Sequence, residues 1–139
     1  MKTLKRRDSR VNPEDAEWEY EPDVSRILIV DDHPGFRRFA RSLLESEGFD
    51  VVGEAEDEAS ALAAAARLRP RRVQLDVLLP GHDGFAVAER LHALDPALAI
   101  VLTSSRPADE FGGRLRMAPV AGFVHKDELS GAALAAVVR

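Results

Sequence analysis

The sequence contains no cysteine, which excludes disulfide bonds, thiolate nucleophiles and cysteine metal ligands. It also lacks any apolar run near the roughly 18 residues that a membrane-spanning helix needs. The basic start of the chain, MKTLKRRDSR, is not followed by the apolar segment of a secretory signal peptide. These absences predict a cytoplasmic protein that does not insert into a membrane.

Aromatic residues are also scarce, at 6%, and the only Trp and Tyr, Trp18 and Tyr20, fall in the first 25 residues. That segment mixes charges of both signs and has few apolar residues, which is typical of a disordered extension. The remaining residues, 26–139, suffice for one folded domain with one core. The net charge of −5 argues against nucleic-acid binding by this chain, although residues 1–25 begin with a basic cluster.

From Arg26 onward, apolar runs of strand length alternate with segments whose apolar residues recur at helical spacing. The predicted strands are residues 27–30, 51–52, 73–76, 98–102 and 122–125. The predicted helices are residues 34–47, 58–68, 85–94, 108–117 and 128–138. Nearly continuous apolar strands indicate a parallel sheet that is covered on both faces. The fold class is therefore α/β, a doubly wound five-stranded parallel sheet with helices on both faces.

Polar side chains stand at the ends of four of these strands. Asp31 and Asp32 follow the first strand, Asp76 ends the third, and Thr103 and Lys126 follow the fourth and fifth. Because parallel strands end at one edge of the sheet, we expect these side chains to converge there. Neighbouring carboxylates repel each other unless a cation lies among them, and Mg²⁺ is a cation that carboxylate oxygens commonly bind. Thr and Lys would add donors for a phosphoryl group.

Taken singly, each of these residues has an ordinary structural explanation. Aspartates are common in turns, threonine suits a helix cap, and a lone lysine is usually a surface residue. Their joint placement after four separate strands favours a single site instead. In such a site Asp76 would be the nucleophile that receives a phosphoryl group by in-line transfer.

Four motifs in order resemble the receiver domain of response regulators in two-component signalling: ILIVDDHPGFRR, VQLDVLLPGHDG, IVLTSS and GFVHKDEL. The resemblance covers about residues 26–138. It implies a flavodoxin-like sheet of strand order 2-1-3-4-5, for which a member of this family is a standard example. The implied roles are phosphoacceptor for Asp76, Mg²⁺ ligand for Asp31, Asp32, Asp76 and the backbone carbonyl of Leu78, phosphoryl contact for Thr103 and Lys126, and switching for Thr103 and Phe123.

The resemblance implies a signalling switch, not an enzyme with a separate substrate. A sensor histidine kinase or phosphotransfer protein would donate the phosphoryl group, with Mg²⁺ as cofactor. The fourth helix, fifth strand and last helix would then change their affinity for a partner, an output domain or a second copy of the chain. No DNA-binding or enzymatic domain follows the last helix, so we expect a single-domain regulator or the receiver part of a longer protein.

Two other functions stay open at this point. An aspartate-nucleophile phosphatase would usually carry a second Asp two residues after the first, where this chain has Leu78. An unphosphorylated interaction module could use the same fold without accepting phosphate or binding Mg²⁺.

Three expectations concern residues outside this constellation. Gln74 interrupts the central strand, so it needs a hydrogen-bonding partner or an exposed edge. Phe36, Phe39 and Leu43 are expected to form a core stripe on the first helix. The spacing of the histidines suits no metal motif, so we expect surface or packing roles for His33, His82, His92 and His125.

Overall fold

The computed structural model describes residues 4–6, 18–20 and 25–137. The first two strands, β1 (Leu4–Arg6) and β2 (Trp18–Tyr20), pair with each other in antiparallel register. The rest of the expected N-terminal extension lies outside the described residues, so its disorder stays a prediction. No helix in the described part of the chain is long and apolar enough to cross a membrane.

Five parallel strands form the central sheet, and two very short strands form a separate antiparallel pair. The seven strands are β3 (Arg26–Val30), β4 (Asp50–Ala55), β5 (Arg72–Asp76), β6 (Leu78–Leu79), β7 (His82–Asp83), β8 (Ala99–Ser104) and β9 (Gly122–His125). The sheet order is β4-β3-β5-β8-β9, with every neighbouring pair parallel. Counted along the chain this order is 2-1-3-4-5, which confirms the predicted fold.

The helices cover both faces of this sheet, as predicted. They are α1 (Pro34–Ser46), α2 (Glu58–Leu68), α3 (Gly84–Leu94), α4 (Gly113–Met117) and α5 (Gly131–Val137). Apolar side chains of α2 and α3 pack in one core, and those of α1 and α5 pack in a second core. The central strand β5 lies between the two cores, with all five residues buried.

The start of α3 is held against the end of β5. Asp83 Oδ1 accepts a hydrogen bond of 2.9 Å from the backbone N–H of Phe85, which caps the helix. Gly84 packs directly on backbone, since an added Cβ would lie 2.6 Å from the carbonyl oxygen of Val77 and 2.7 Å from that of Asp76. Only glycine permits this close approach, so α3 fixes the loop that follows Asp76.

The fourth helix, predicted over residues 108–117 but weakened by Gly112 and Gly113, is irregular and does not form as a single helix. The chain makes a 3₁₀ turn at Ala108–Phe111, and α4 begins at Gly113. Gly112 separates the two with φ of 55°, a left-handed value that interrupts regular helix.

The last helix begins at Gly131, three residues later than predicted. Ser130 Oγ accepts a hydrogen bond from the N–H of Ala133 and so caps the helix start. The residues that precede it, Lys126–Glu128, form a 3₁₀ turn instead.

The expectation that Phe39 belongs to the core is also wrong. In α1, Ala40 and Leu44 are completely buried, while Phe36 and Leu43 are only partly buried. Phe39 is 55% exposed and contacts the ring of Phe36 at a centroid distance of 6.1 Å. Phe39 directly precedes the buried Ala40 and lies at the edge of the buried face of α1. The spacing of apolar residues in the sequence therefore placed it in the core, although its side chain is on the exposed face.

Candidate functional site

The structure brings the three predicted carboxylates together at the carboxyl edge of the sheet. Strands β3 and β5 are neighbours, so Asp31 and Asp32 lie beside Asp76. One ligand atom each from these three residues and from His33 lies within 4.8 Å of the others. Asp31 and Asp76 are 0% and 3% exposed, whereas Asp32 is partly exposed. The result is a concentration of negative charge with little access to solvent.

Lys126 brings a positive charge to this cluster from the end of β9. Its Nζ lies 2.6 Å from Asp31 Oδ2 and 3.5 Å from Asp76 Oδ2. The same ammonium group lies 4.4 Å from the ring centroid of Phe36, within cation–π range. Lys126 is therefore anchored between α1 and the two buried carboxylates, which places its charge beside Asp76.

The pKa of the Asp76 carboxyl is raised above its ordinary value, chiefly because burial penalises the charged form. The nearby charge of Asp31 raises it further, while the charge of Lys126 lowers it. The backbone N–H of Leu78 also favours the carboxylate, donating a hydrogen bond of 3.2 Å to Asp76 Oδ1. Burial outweighs these partners, so one lysine does not fully compensate the buried charge.

Thr103 supplies a hydroxyl next to Asp76. The two residues are register partners in β8 and β5, and the backbone N–H of Val77 donates to the carbonyl of Thr103 at 2.9 Å. The Thr103 side chain is 0% exposed, yet its Oγ1 has no hydrogen-bond partner among the described residues. A buried hydroxyl without a partner is costly, and a phosphoryl oxygen on Asp76 would be a suitable acceptor.

These residues fit a divalent cation of the Mg²⁺ class. The donors are carboxylate oxygens, which hard cations prefer, and two of the three carboxylates are almost completely buried. The raised pKa of Asp76 indicates that the single lysine leaves negative charge uncompensated. Leu78, whose carbonyl is the predicted additional ligand, follows two residues after Asp76 in β6, and its role stays a prediction.

Sequence reasoning missed two neighbours of Asp31. Arg37 Nη1 donates a hydrogen bond of 2.5 Å to the backbone carbonyl of Asp31, which ties α1 to the site. His33, expected only as a surface or packing residue, is 65% exposed in its side chain, but its Nδ1 lies 3.0 Å from Asp31 Oδ1 and 3.2 Å from Asp32 Oδ1. The adjacency of His33 to two aspartates in the sequence was the signal that could have identified it.

An open cleft of about 690 Å³ lies beside the carboxylates. The β6–β7 hairpin forms much of its wall, and Gly81, with φ of 71°, permits the tight turn between the two strands. Arg114 of α4 pairs with Asp83 across this wall. The residues that line the cleft are Asp32, His33, Val77–Asp83, Phe85, Phe111 and Arg114.

Phe123, the predicted switching aromatic, lies in β9 and is half-buried. Its ring lies 5.9 Å from that of Phe111, which lies 5.8 Å from that of Phe85. Since Phe85 lies in the first turn of α3, beside the cleft, the three rings connect β9 with the loop after Asp76. The structure thus places every predicted site residue at or near one end of the sheet, while their chemical roles stay predictions.

The comparison with protein families agrees with this arrangement: the model of the response regulator receiver domain matches residues 27–139. The chain belongs to this family. BvgA of Bordetella pertussis is 38% identical over 104 residues, which are 75% of this chain and 50% of BvgA. The response regulator GacA of Pseudomonas viridiflava is 35% identical over 115 residues, which are 82% of this chain and 52% of GacA.

Solved structures of receiver domains share the same fold. A two-component response regulator of the LuxR family from Aurantimonas matches with a TM-score of 0.72 and 31% identity, over 81% of this chain and 84% of that chain. This chain spans about half the length of the curated relatives BvgA and GacA. The family match over residues 27–139 and the shared fold identify the chain as a response regulator receiver domain.

Proposed function

We propose that this receiver domain is a phospho-accepting switch, with Asp76 as the phosphoacceptor. The observation that supports the proposal is a nearly buried carboxylate, Asp76, that lies 3.5 Å from the ammonium group of Lys126 and pairs in register with Thr103, whose buried hydroxyl has no partner among the described residues. Negative charge that arrives on Asp76 would be stabilised by the ammonium group of Lys126 and, once Thr103 moves toward it, by the hydroxyl of Thr103. A sensor histidine kinase or phosphotransfer protein is the proposed donor.

In the proposed reaction a carboxylate oxygen of Asp76 attacks phosphorus on a phosphohistidine of the donor. The new O–P bond forms while the N–P bond breaks, and the imidazole of the donor leaves. Lys126 Nζ, already 3.5 Å from Asp76 Oδ2, stabilises the equatorial oxygens. The hydroxyl of Thr103 donates a hydrogen bond to one of these oxygens.

The proposed cofactor is Mg²⁺, held by Asp31, Asp32, Asp76 and the backbone carbonyl of Leu78. When bound, Mg²⁺ would neutralise charge on the transferring phosphoryl group. Asp31 is fixed for this role by Lys126 and by the backbone N–H of His33, which donates to Asp31 Oδ1 at 2.8 Å. The side chain of Leu78 is 48% exposed and contributes no polar group.

The proposed switch connects Asp76 with the surface formed by α4, β9 and α5. Movement of Thr103 toward the phosphoryl group would vacate space into which Phe123 could turn. Because Phe123 packs on Phe111, just before α4, its movement would alter this surface. A partner, an output domain or a second copy of the chain would bind the altered surface with changed affinity. By this proposal the domain catalyses only its own phosphorylation and dephosphorylation. Both BvgA and GacA are named as regulators, which supports such a role.

The test is phosphorylation with a small-molecule phosphodonor, such as a phosphoramidate, and Mg²⁺. The wild type should gain one phosphoryl group by mass spectrometry, and Asp76→Asn should gain none. Asp83→Asn is the matched control, because Asp83 lines the adjacent cleft and asparagine retains a capping oxygen. Labelling that persists in Asp76→Asn contradicts the proposal. Absence of labelling in the wild type, with no Mg²⁺ binding, favours an unphosphorylated interaction module.

A further inference from the structure

Of the four described residues whose ligand atoms cluster at the site, only His33 has a side chain that the proposed function does not use. Its Nδ1 lies 3.0 Å from Asp31 Oδ1 and 3.2 Å from Asp32 Oδ1. The side chain caps no backbone group of α1, so helix capping does not explain its position. The ring is 65% exposed and forms no part of either core. The contacts of its ring are with the two aspartates, and the 3.0 Å separation from Asp31 Oδ1 is that of a hydrogen bond, so any role of the ring lies at the site itself.

The distances match those of adjacent ligands around one metal ion. Neighbouring ligands on an octahedral ion with bonds of 2.0–2.1 Å are about 3 Å apart, which is the separation between Nδ1 and each aspartate oxygen. A cluster of acidic residues alone would not identify a metal site. The hydroxyl of Thr103, completely buried and without a partner among the described residues, lies on the strand beside Asp76 and independently supports a ligand next to that carboxylate.

We propose that His33 Nδ1 is a direct ligand that makes this site prefer divalent transition metals, such as Mn²⁺ and Co²⁺, over Mg²⁺. The inference rests on the metal site of the proposed function and adds a nitrogen to its oxygen donors. Imidazole suits transition metals, with affinity rising from Mn²⁺ to Co²⁺, whereas Mg²⁺ is held by oxygen. The nitrogen should therefore raise affinity most for Co²⁺, less for Mn²⁺ and least for Mg²⁺.

His82 provides a matched control in the same cleft. It lines that cleft together with His33, but its Nδ1 pairs with Glu58 Oε2 at 3.2 Å. His82 does not belong to the group of ligand atoms around Asp76. Replacing His82 with alanine thus removes an equally sized ring from the cleft and leaves the proposed ligand set complete.

The experiment is isothermal titration calorimetry with Mg²⁺, Mn²⁺ and Co²⁺ on the wild type, His33→Ala and His82→Ala. Since a ligating imidazole must be neutral, the titrations use mildly alkaline buffer. We expect His33→Ala to lower the Co²⁺ affinity by at least about tenfold, with a smaller loss for Mn²⁺ and little change for Mg²⁺. His82→Ala should bind all three ions like the wild type. Circular dichroism checks that each variant is folded.

Electron spin-echo spectroscopy of bound Mn²⁺ gives a direct readout of the ligand. Modulation from a coordinated ¹⁴N nucleus should be present in the wild type and His82→Ala and absent in His33→Ala. If all three proteins bind the ions equally and no nitrogen modulation is seen, the proposed role of His33 is wrong. That result would not affect the proposed phosphorylation of Asp76, which is measured separately. If no protein binds any of the ions and none is phosphorylated, the proposed function fails as well.

Discussion

The side chains of β5 alternate between two cores of different chemical character. Val73 and Leu75 face the core of α2 and α3, where both are completely buried among apolar side chains. Arg72, Gln74 and Asp76 face the core of α1 and α5, and their exposed fractions are only 9%, 0% and 3%. One strand thus carries two apolar residues on one face and three buried polar residues on the other.

The polar face carries the chemistry and leaves polar groups unsatisfied. Neither side-chain polar atom of Gln74 has a hydrogen-bond partner among the described residues, and the same holds for Arg72 Nε. Each such group loses hydration on folding without regaining a bond. The comparison indicates that the apolar face supplies most of the stability of the central strand, while the polar face reduces it around the acceptor.

The largest expected effect is on the apolar face. Leu75→Ala should lower the free energy of unfolding by about 2–5 kcal/mol, because it removes buried methyl groups and leaves a cavity between β5 and helices α2 and α3. Urea denaturation followed by circular dichroism measures the change. A loss below about 1 kcal/mol would mean that this face is not the main source of stability.

On the polar face, Gln74→Leu should act in the opposite direction. Leucine has a similar size and no polar atoms, so the variant should gain about 1–3 kcal/mol in the free energy of unfolding. Gln74→Ala is the control, since it removes the amide but also creates a cavity, and it should be less stable than Gln74→Leu. Destabilisation by Gln74→Leu would indicate that internal water or an altered rotamer satisfies the amide.

Gln74 also illustrates how far the sequence could predict this structure. Apolar runs and helical spacing predicted a doubly wound parallel sheet and the convergence of Asp76 with Lys126, because parallel strands must end at a common edge, whereas the strand order came from the family resemblance. The same patterns predicted that Gln74 would find a partner or an edge, but it is completely buried and has no partner within the part of the chain that the structure describes. The alternation of apolar and polar residues in the sequence predicts which side chains are buried, but it does not predict whether a hydrogen-bonding partner lies close to a buried polar side chain.

The errors in the predicted fourth helix and at His33 also arise from local geometry that the sequence pattern does not specify. Gly112 interrupts the predicted fourth helix through a left-handed backbone conformation that its neighbours in the sequence do not specify. The adjacency of His33 to two aspartates in the sequence indicated that it lies near the site, but the direction of its ring depends on the path of the chain into α1, which the sequence pattern does not specify. Local conformation and side-chain direction were therefore the parts that sequence reasoning could not supply.

A third prediction concerns the pH dependence that the polar face creates. Because the pKa of Asp76 is raised by burial, the folded state binds more protons than the unfolded state between the ordinary and the raised pKa. The free energy of unfolding contributed by Asp76 therefore falls as pH rises through this window. Asp76→Asn carries no such titration, so in metal-free buffer its stability relative to the wild type should increase from acidic toward neutral pH.

Urea denaturation of both proteins over a series of pH values measures this difference. Asp95→Asn is a suitable control, since Asp95 lies at the end of α3, away from the carboxylate cluster. A stability difference between Asp76→Asn and the wild type that stays constant with pH would show that burial does not raise the pKa of Asp76. Such a result would also weaken the contrast between the two faces of β5.

The smallest expected effect lies at the other end of the polar face, at Arg72. Burial lowers the pKa of its guanidinium group, which lies 5.3 Å from the ring centroid of Phe49. If this stacking compensates part of the desolvation, a double-mutant cycle of Arg72→Met and Phe49→Leu should give a coupling energy of about 0.5–1 kcal/mol. Arg72→Met alone should change stability little, because methionine retains the packing of the stem and removes the buried charge. A coupling energy near zero would mean that no contact with Phe49 compensates the desolvation of Arg72. The polar face of β5 would then lower the free energy of unfolding along its whole length.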